Sequence, residues 1–301
     1  MGKRGQVTIF IIIGLVVFAL FGAYFYFNQD ISSSKISAAA DSQEQDAEII
    51  SNYVESCLKK VSEEALFERL GLQGGYINPG GEAIYGEQGT IYPPLAVMQG
   101  KKVPHYLEGT GTPPNLVYSA YLPELSEIEK KLENYVLVEF ENCFKQDAFN
   151  ELGYEIEKPN LNYQSLNFDL AGTNVEIDAK FNKDDVSIYF KYPITAKLGA
   201  TQTVLEEFNA ILPIAFKSLY ESAETMVEKA RNSQPNSYDI SADCSLYDKN
   251  GLTNVYLKIS EDGSSKVVQL VDFSTYENYY FNSYIFQFAV RNVNIIGNCV
   301  G

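Results

Sequence analysis

The chain has 301 residues, with 39 acidic against 23 basic side chains and a net charge of −16. This acid excess excludes a nucleic-acid reader, whose partner demands a basic surface, and excludes electrostatic attachment to an anionic membrane face. With 46% hydrophobic residues the chain is too apolar to stay disordered over most of its length. In chain order, residues 1–6 carry Lys3 and Arg4, and residues 7–27 carry no charge at all. About 21 residues rising 1.5 Å each make a helix of roughly 31 Å, the hydrocarbon thickness of a bilayer. Residues 7–27, from Val7 at one end to Phe27 at the other, are therefore expected to form one transmembrane helix with the lipid bilayer as its partner. Basic residues precede the span and Asp30 is the first charge after it, which keeps the N-terminus cytoplasmic and exports the remainder of the chain. The run exceeds the about 7–15 apolar residues of a cleaved secretory signal.

Lys3-Arg4-Gly5-Gln6, followed directly by the apolar run, resembles the prepilin-type signals of archaea. Thr8 stands where that family favours Ser or Thr, and Phe10 stands where it usually has Glu. The resemblance covers residues 3 to about 20. It implies peptidase cleavage between Gly5 and Gln6 and a pilin-like subunit whose stem packs against its copies. A permanent anchor that keeps Lys3 and Arg4 is the leading reading.

Residues 28–43 are polar and Ser/Ala-rich and read as a spacer. A helix is expected from Ser42, where Gln45 completes a capping-box pattern. Ile50, Val54, Cys57, Leu58, Val61 and Ala65 form its apolar face, and Gly71 is placed to end it in a left-handed cap. Residues 71–119, dense in Gly, Pro and Tyr, interrupt the helical pattern as an insertion with short hairpins expected around Glu87-Gln88 and Gly100-Lys101. Its tyrosines Tyr76, Tyr85, Tyr92 and Tyr106 are the candidate contact surface, because Tyr gives contact area at low entropy cost beside Gly loops. A second helix opens at Pro123 with the stripe Leu125, Ile128, Leu132, Tyr135, Val136, Phe140 and Cys143.

Beyond residue 158 the period changes to two. Val175, Ile177, Ala179 and Phe181, then Val186, Ile188, Phe190 and Tyr192, flank a tight Asn182–Asp185 turn and predict a hairpin. Thr203 with Glu206 predicts the start of a long helix carrying Phe208, Leu212, Ala215, Phe216, Leu219, Ala223, Met226 and Ala230, kinked at Pro213. Strands are expected next at 254–260, 266–273 and 284–291. The expectation is an α+β protein with a helical module at 44–158 and a ββαβββ domain at 159–301. In that domain a mostly antiparallel five-stranded sheet packs on one long helix.

All four cysteines come after the apolar run, in the compartment where disulfides persist. Cys57 and Cys143 share the apolar faces of two helices that would pack antiparallel, and Cys244 and Cys299 bracket the last strands. Two local bridges, Cys57 to Cys143 and Cys244 to Cys299, are expected. No cofactor or metal is expected. His105 is the only histidine and falls in a Gly/Pro-rich stretch read as loop; there is no C-x-x-C, G-x-S-x-G, P-loop or G-x-G-x-x-G. Residues 248–251 and 261–265 look like fragments of calcium loops but lack the closing Glu, so they read as turns. The functional expectation is a membrane-anchored, exported, non-enzymatic cell-envelope protein that binds an envelope protein or surface ligand. The alternatives are the pilin-like subunit and a cell-surface enzyme with no identifiable site.

Overall fold

The structure, a computed structural model, describes residues 40–79, 94–111, 115–161, 173–234, 236–247, 253–261, 263–275, 279 and 282–299. The expected span over 7–27, the Gly5/Gln6 site, the Glu87-Gln88 hairpin, Tyr85 and Tyr92 lie outside these residues. Among the described residues no helix is long and apolar enough to cross a membrane. The chain divides into two compact units, Met1–Asp46 and Ala47–Gly301. Of the first, only the opening of helix α1 is described.

Helix α1, Ala40–Glu64, buries the expected Ile50, Val54, Cys57, Leu58 and Val61 and runs into a π-helical segment, Ala65–Gly71. The left-handed cap expected at Gly71 lies elsewhere: Gly71 is the last π-helical residue, and the left-handed positions are Gly74 and Gly75 (φ 54° and 74°). The bond from Gly75 N–H to Leu70 C=O (2.7 Å) closes the helix in Schellman fashion three residues later than the sequence indicates. Glycine is needed at 71 for a different reason: a Cβ there would lie 2.4 Å from the Ile285 carbonyl oxygen.

Strands β1 (Leu95–Met98) and β2 (Lys101–Thr110) form the hairpin expected around Gly100-Lys101, its two-residue turn lying one position earlier at Gln99-Gly100, both at positive φ as type I′ requires. Part of the insertion is thus sheet, and β3 (Val117–Ala120) pairs with β2 as well. Helix α2 (Leu125–Cys143) comes next, with Ile128, Leu132, Tyr135, Val136 and Phe140 buried as the stripe requires. After the short α3 (Gln146–Asn150) come β4 (Glu155–Glu157), β5 (Glu176–Phe181) and β6 (Val186–Leu198).

The long helix expected from Thr203 is not there. Residues Thr201–Leu212 form strand β7, paired with β6 along nearly its whole length, and helix α4 begins only at Phe216 and ends at Ser233. The two-residue turn at Gly199 (φ 60°) and Ala200 sends the chain straight back beside β6, and Phe208, Ala210 and Leu212 are buried with period two. Pro213 kinks nothing; it lies in the connection between strand and helix, where its lack of an N–H breaks no ladder or helical bond. The remaining elements are β8 (Tyr238–Asp239), α5 (Cys244–Tyr247), β9 (Thr253–Ile259), β10 (Lys266–Asp272), β11 (Tyr284–Arg291) and β12 (Ile295–Ile296).

The class is α+β, but the single five-stranded sheet on one helix becomes a set of sheets. A six-stranded mixed sheet runs β1-β2-β11-β10-β9 with β3 on β2, and its β2–β11 pair is parallel. In a four-stranded sheet β4 and β5 pair different stretches of β6, opposite β7. Short β8 and β12 make a parallel pair. The boundary expected near residue 158 falls between β4 and β5, which both pair with β6. Phe216, opening α4, stacks on Phe181 of β5 (4.2 Å) and meets Phe286 of β11 edge-on (5.5 Å), so one side chain joins both large sheets to one core.

The outer edge of β5 is closed by side chains. Glu133 accepts from the Ala179 N–H (3.2 Å) and Glu129 from the Phe181 N–H (3.1 Å), two carboxylates one helical turn apart on α2. Glu133→Ala strands a buried donor and should cost about 1–3 kcal/mol in denaturant unfolding, whereas Glu133→Gln keeps the acceptor and should cost less than half as much.

Candidate functional site

Lys59, Glu63 and Phe67 recur every four residues along α1 and its π-helical continuation, so they form one strip beside the core-facing stripe. That strip is one wall of a cleft of about 750 Å³; Tyr279, Asn282 and Ile285, from the approach to β11 and its start, form the other. Phe67 supplies the apolar floor, its ring 4.7 Å from Tyr279 and 5.2 Å edge-on to Tyr284. The close approach of Gly71 to Ile285 keeps the two walls together at this end. A π-helical turn often marks a functional position, because its extra residue re-aims the side chains beyond it.

The rim carries both signs of charge, and its carboxylates are engaged. Lys59 lies 3.9 Å from Glu63, Glu64 accepts from the Tyr135 hydroxyl (2.8 Å), and Glu68 pairs with Lys101 of β2 (3.2 Å). Burial raises the Glu63 carboxyl above its ordinary value, opposed by the nearby Lys59 ammonium. Burial also raises the Tyr279 hydroxyl, and the charge of Glu63 adds to the effect. The Tyr279 hydroxyl is buried and makes no hydrogen bond among the described residues. The cleft therefore suits a ligand with an apolar body and polar ends, held over Phe67 between a lysine pair and a carboxylate row.

A carboxyl whose pKa rises on folding holds its proton more tightly in the folded state. Its contribution is complete below the ordinary glutamate value and is lost as pH rises through the raised one. Relative to Glu63→Gln, the natural chain should lose stability across that interval, read as a falling denaturation midpoint with rising pH.

Both expected bridges are present. Cys57 and Cys143 are joined with Cα atoms 5.7 Å apart, Cys244 and Cys299 with Cα atoms 5.3 Å apart, and among the described residues no cysteine is free. The tyrosine surface does not stand in the described part of the insertion. Tyr76 is buried, with Lys131 over its ring at 4.0 Å, and Tyr106 is wholly buried and stacks on Phe288 (4.9 Å). Both serve the core, because β2 lies inside the mixed sheet and takes its tyrosine inward. His105 is likewise no loop residue: it sits buried on β2, its Nε2 2.7 Å from Ser265 Oγ. Gly263 at φ 68° makes the β9–β10 connection a tight turn, as its sequence reads. Among the described residues no three His, Cys, Asp or Glu side chains converge on a possible metal position. The cleft escaped sequence reading because half of it comes from residues near 280 that carry no motif. Phe67, an aromatic on the polar side of a helix, was its one visible sign. The chain matches no known protein family, no curated protein and no solved structure.

Proposed function

We propose that this is a single-pass membrane protein of the cell envelope, N-terminus cytoplasmic and folded domain outside, that binds a ligand or envelope partner through the cleft beside α1 without catalysing a reaction. The observation that carries the reading is the double use of α1. The helix through which the chain enters the folded unit bears Cys57, clamped to α2, and also forms one wall of the cleft. A disulfide at that point suits an oxidising exterior and fixes the binding wall to the domain. The uncharged residues 7–27 support the anchor, and Lys3 and Arg4 its orientation.

Two measurements test this. In intact cells, a membrane-impermeant thiol reagent applied after reduction should label the cysteines; labelling only after lysis would refute the orientation. N-terminal peptides from membranes should contain Lys3-Arg4. The Lys3-Arg4-Gly5-Gln6 sequence supports a second reading, a pilin-like subunit, and a mature chain beginning at Gln6 in sheared filaments would establish that one instead.

A further inference from the structure

The sheet edges are finished in different ways. That of β5 is closed by Glu129 and Glu133. That of β9 is covered by the C-terminal tail: Val255 and Cys299 exchange both backbone bonds (2.8 and 2.9 Å), and the Leu257 N–H donates to the Asn298 side chain (2.8 Å). Among the described residues strand β7 has no such cover. It is 12 residues long, about twice the usual strand, pairs with β6 alone, and over 204–211 no strand, tail or side chain among the described residues takes its other edge. A long bare edge is a standing template for another strand.

The side chains along this edge limit what can pair with it. Glu206 and Glu207 are exposed at its middle, flanked by exposed Val204 (52%) and Ile211 (66%). In register across the sheet, Glu207 lies opposite Lys191, which lies opposite Glu176. One lysine thus faces two carboxylates, and the charges of Glu207, Glu176 and Glu206, after desolvation, raise the neighbouring Tyr189 hydroxyl. A second copy lying antiparallel on the same edge and centred there would set Glu206 against its own copy, or Glu207 against its own, a like-charged cross-strand pair that destabilises the ladder. The glutamates therefore guard against self-pairing and favour a cationic occupant.

We propose that the free edge of β7 receives an extended segment of a partner protein by strand addition, with lysine or arginine opposite Glu206 and Glu207 and apolar residues beside Val204 and Ile211. Main-chain bonds supply the attachment and the alternating side chains select the partner. This surface is independent of the cleft, so either can fail without the other.

The full chain in detergent micelles, titrated with a short peptide of two adjacent lysines flanked by valines, tests it. Binding should be saturable and should slow amide exchange in β7 about tenfold or more. The same peptide N-methylated at alternate amides keeps its charge but not its ladder and should not bind; a valine–glutamate peptide should not bind either. Glu206→Lys combined with Glu207→Lys, both at exposed positions, should reverse the preference toward the glutamate peptide. Equal binding of the N-methylated peptide, unchanged exchange in β7, or self-association of the chain through this strand would overturn the proposal.

Discussion

Replacing Cys57 and Cys143 together by alanine should lower the free energy of unfolding by about 4–5 kcal/mol, measured by chemical denaturation against the oxidised natural chain. The bridge spans a sequence separation of 86, and in the chain-entropy account its main effect is on the unfolded ensemble, which it deprives of that much loop freedom. The Cys244–Cys299 bridge spans 55, and because loop entropy grows only with the logarithm of length its removal should cost nearly as much. Typical domains are stable by about 5–15 kcal/mol, so either loss is a large share of the total. A loss below about 1 kcal/mol would show that the reduced chain holds α1 and α2 together without help.

Gly71→Ala should destabilise by about 2–3 kcal/mol despite adding a better helix former. Helix propensity would return about 1 kcal/mol. Against it, the new methyl would meet the Ile285 carbonyl oxygen at 2.4 Å and the Tyr284 hydroxyl at 2.9 Å, and the former is backbone of a central strand that cannot step aside. Gly71→Val should cost more. Both should also spread the cleft, so weakened ligand binding and reduced stability should appear together in these variants, whereas Lys59→Ser, at an exposed position on the rim, should weaken binding of a negatively charged ligand end with little loss of stability. Thermal unfolding and binding measured on the same preparations separate the two.

How far the sequence could be read depended on whether the deciding contact was local. The stripes of α1 and α2, the β5–β6 hairpin turn and the last three strands are set by local periodicity and are legible to within a residue or two, whereas β6 runs on past Tyr192 to Leu198, where its partners are β4 and β7. Both cysteine pairings rest on the same local pattern. The β7 segment reads as helix because Thr203, Glu206, Phe208 and Leu212 satisfy helical spacing as well as strand spacing. What decides between them is the pairing with β6, which no window of sequence contains. Tyr106 and His105 differ from their sequence reading for a related reason: a stretch full of Gly and Pro looks like surface loop, and only the pairing of β2 with β11 shows it to be interior. The cleft was the least legible feature, since its walls meet where Gly71 approaches Ile285, a contact between distant parts of the chain.

The parallel pairing of β2 with β11 also sets the order in which the molecule can be completed. His105 lies opposite Ala289, so β2 has its parallel neighbour far downstream in the chain. A chain emerging N-terminus first can close α1 onto α2, pair β2 with β1 and β3, and join Cys57 to Cys143 while the second half is still being synthesised, but the other edge of β2 must wait until β11 appears. Shortening the chain before residue 284 therefore removes the centre of the mixed sheet, and the waiting strand becomes a target for quality-control proteases and holding chaperones.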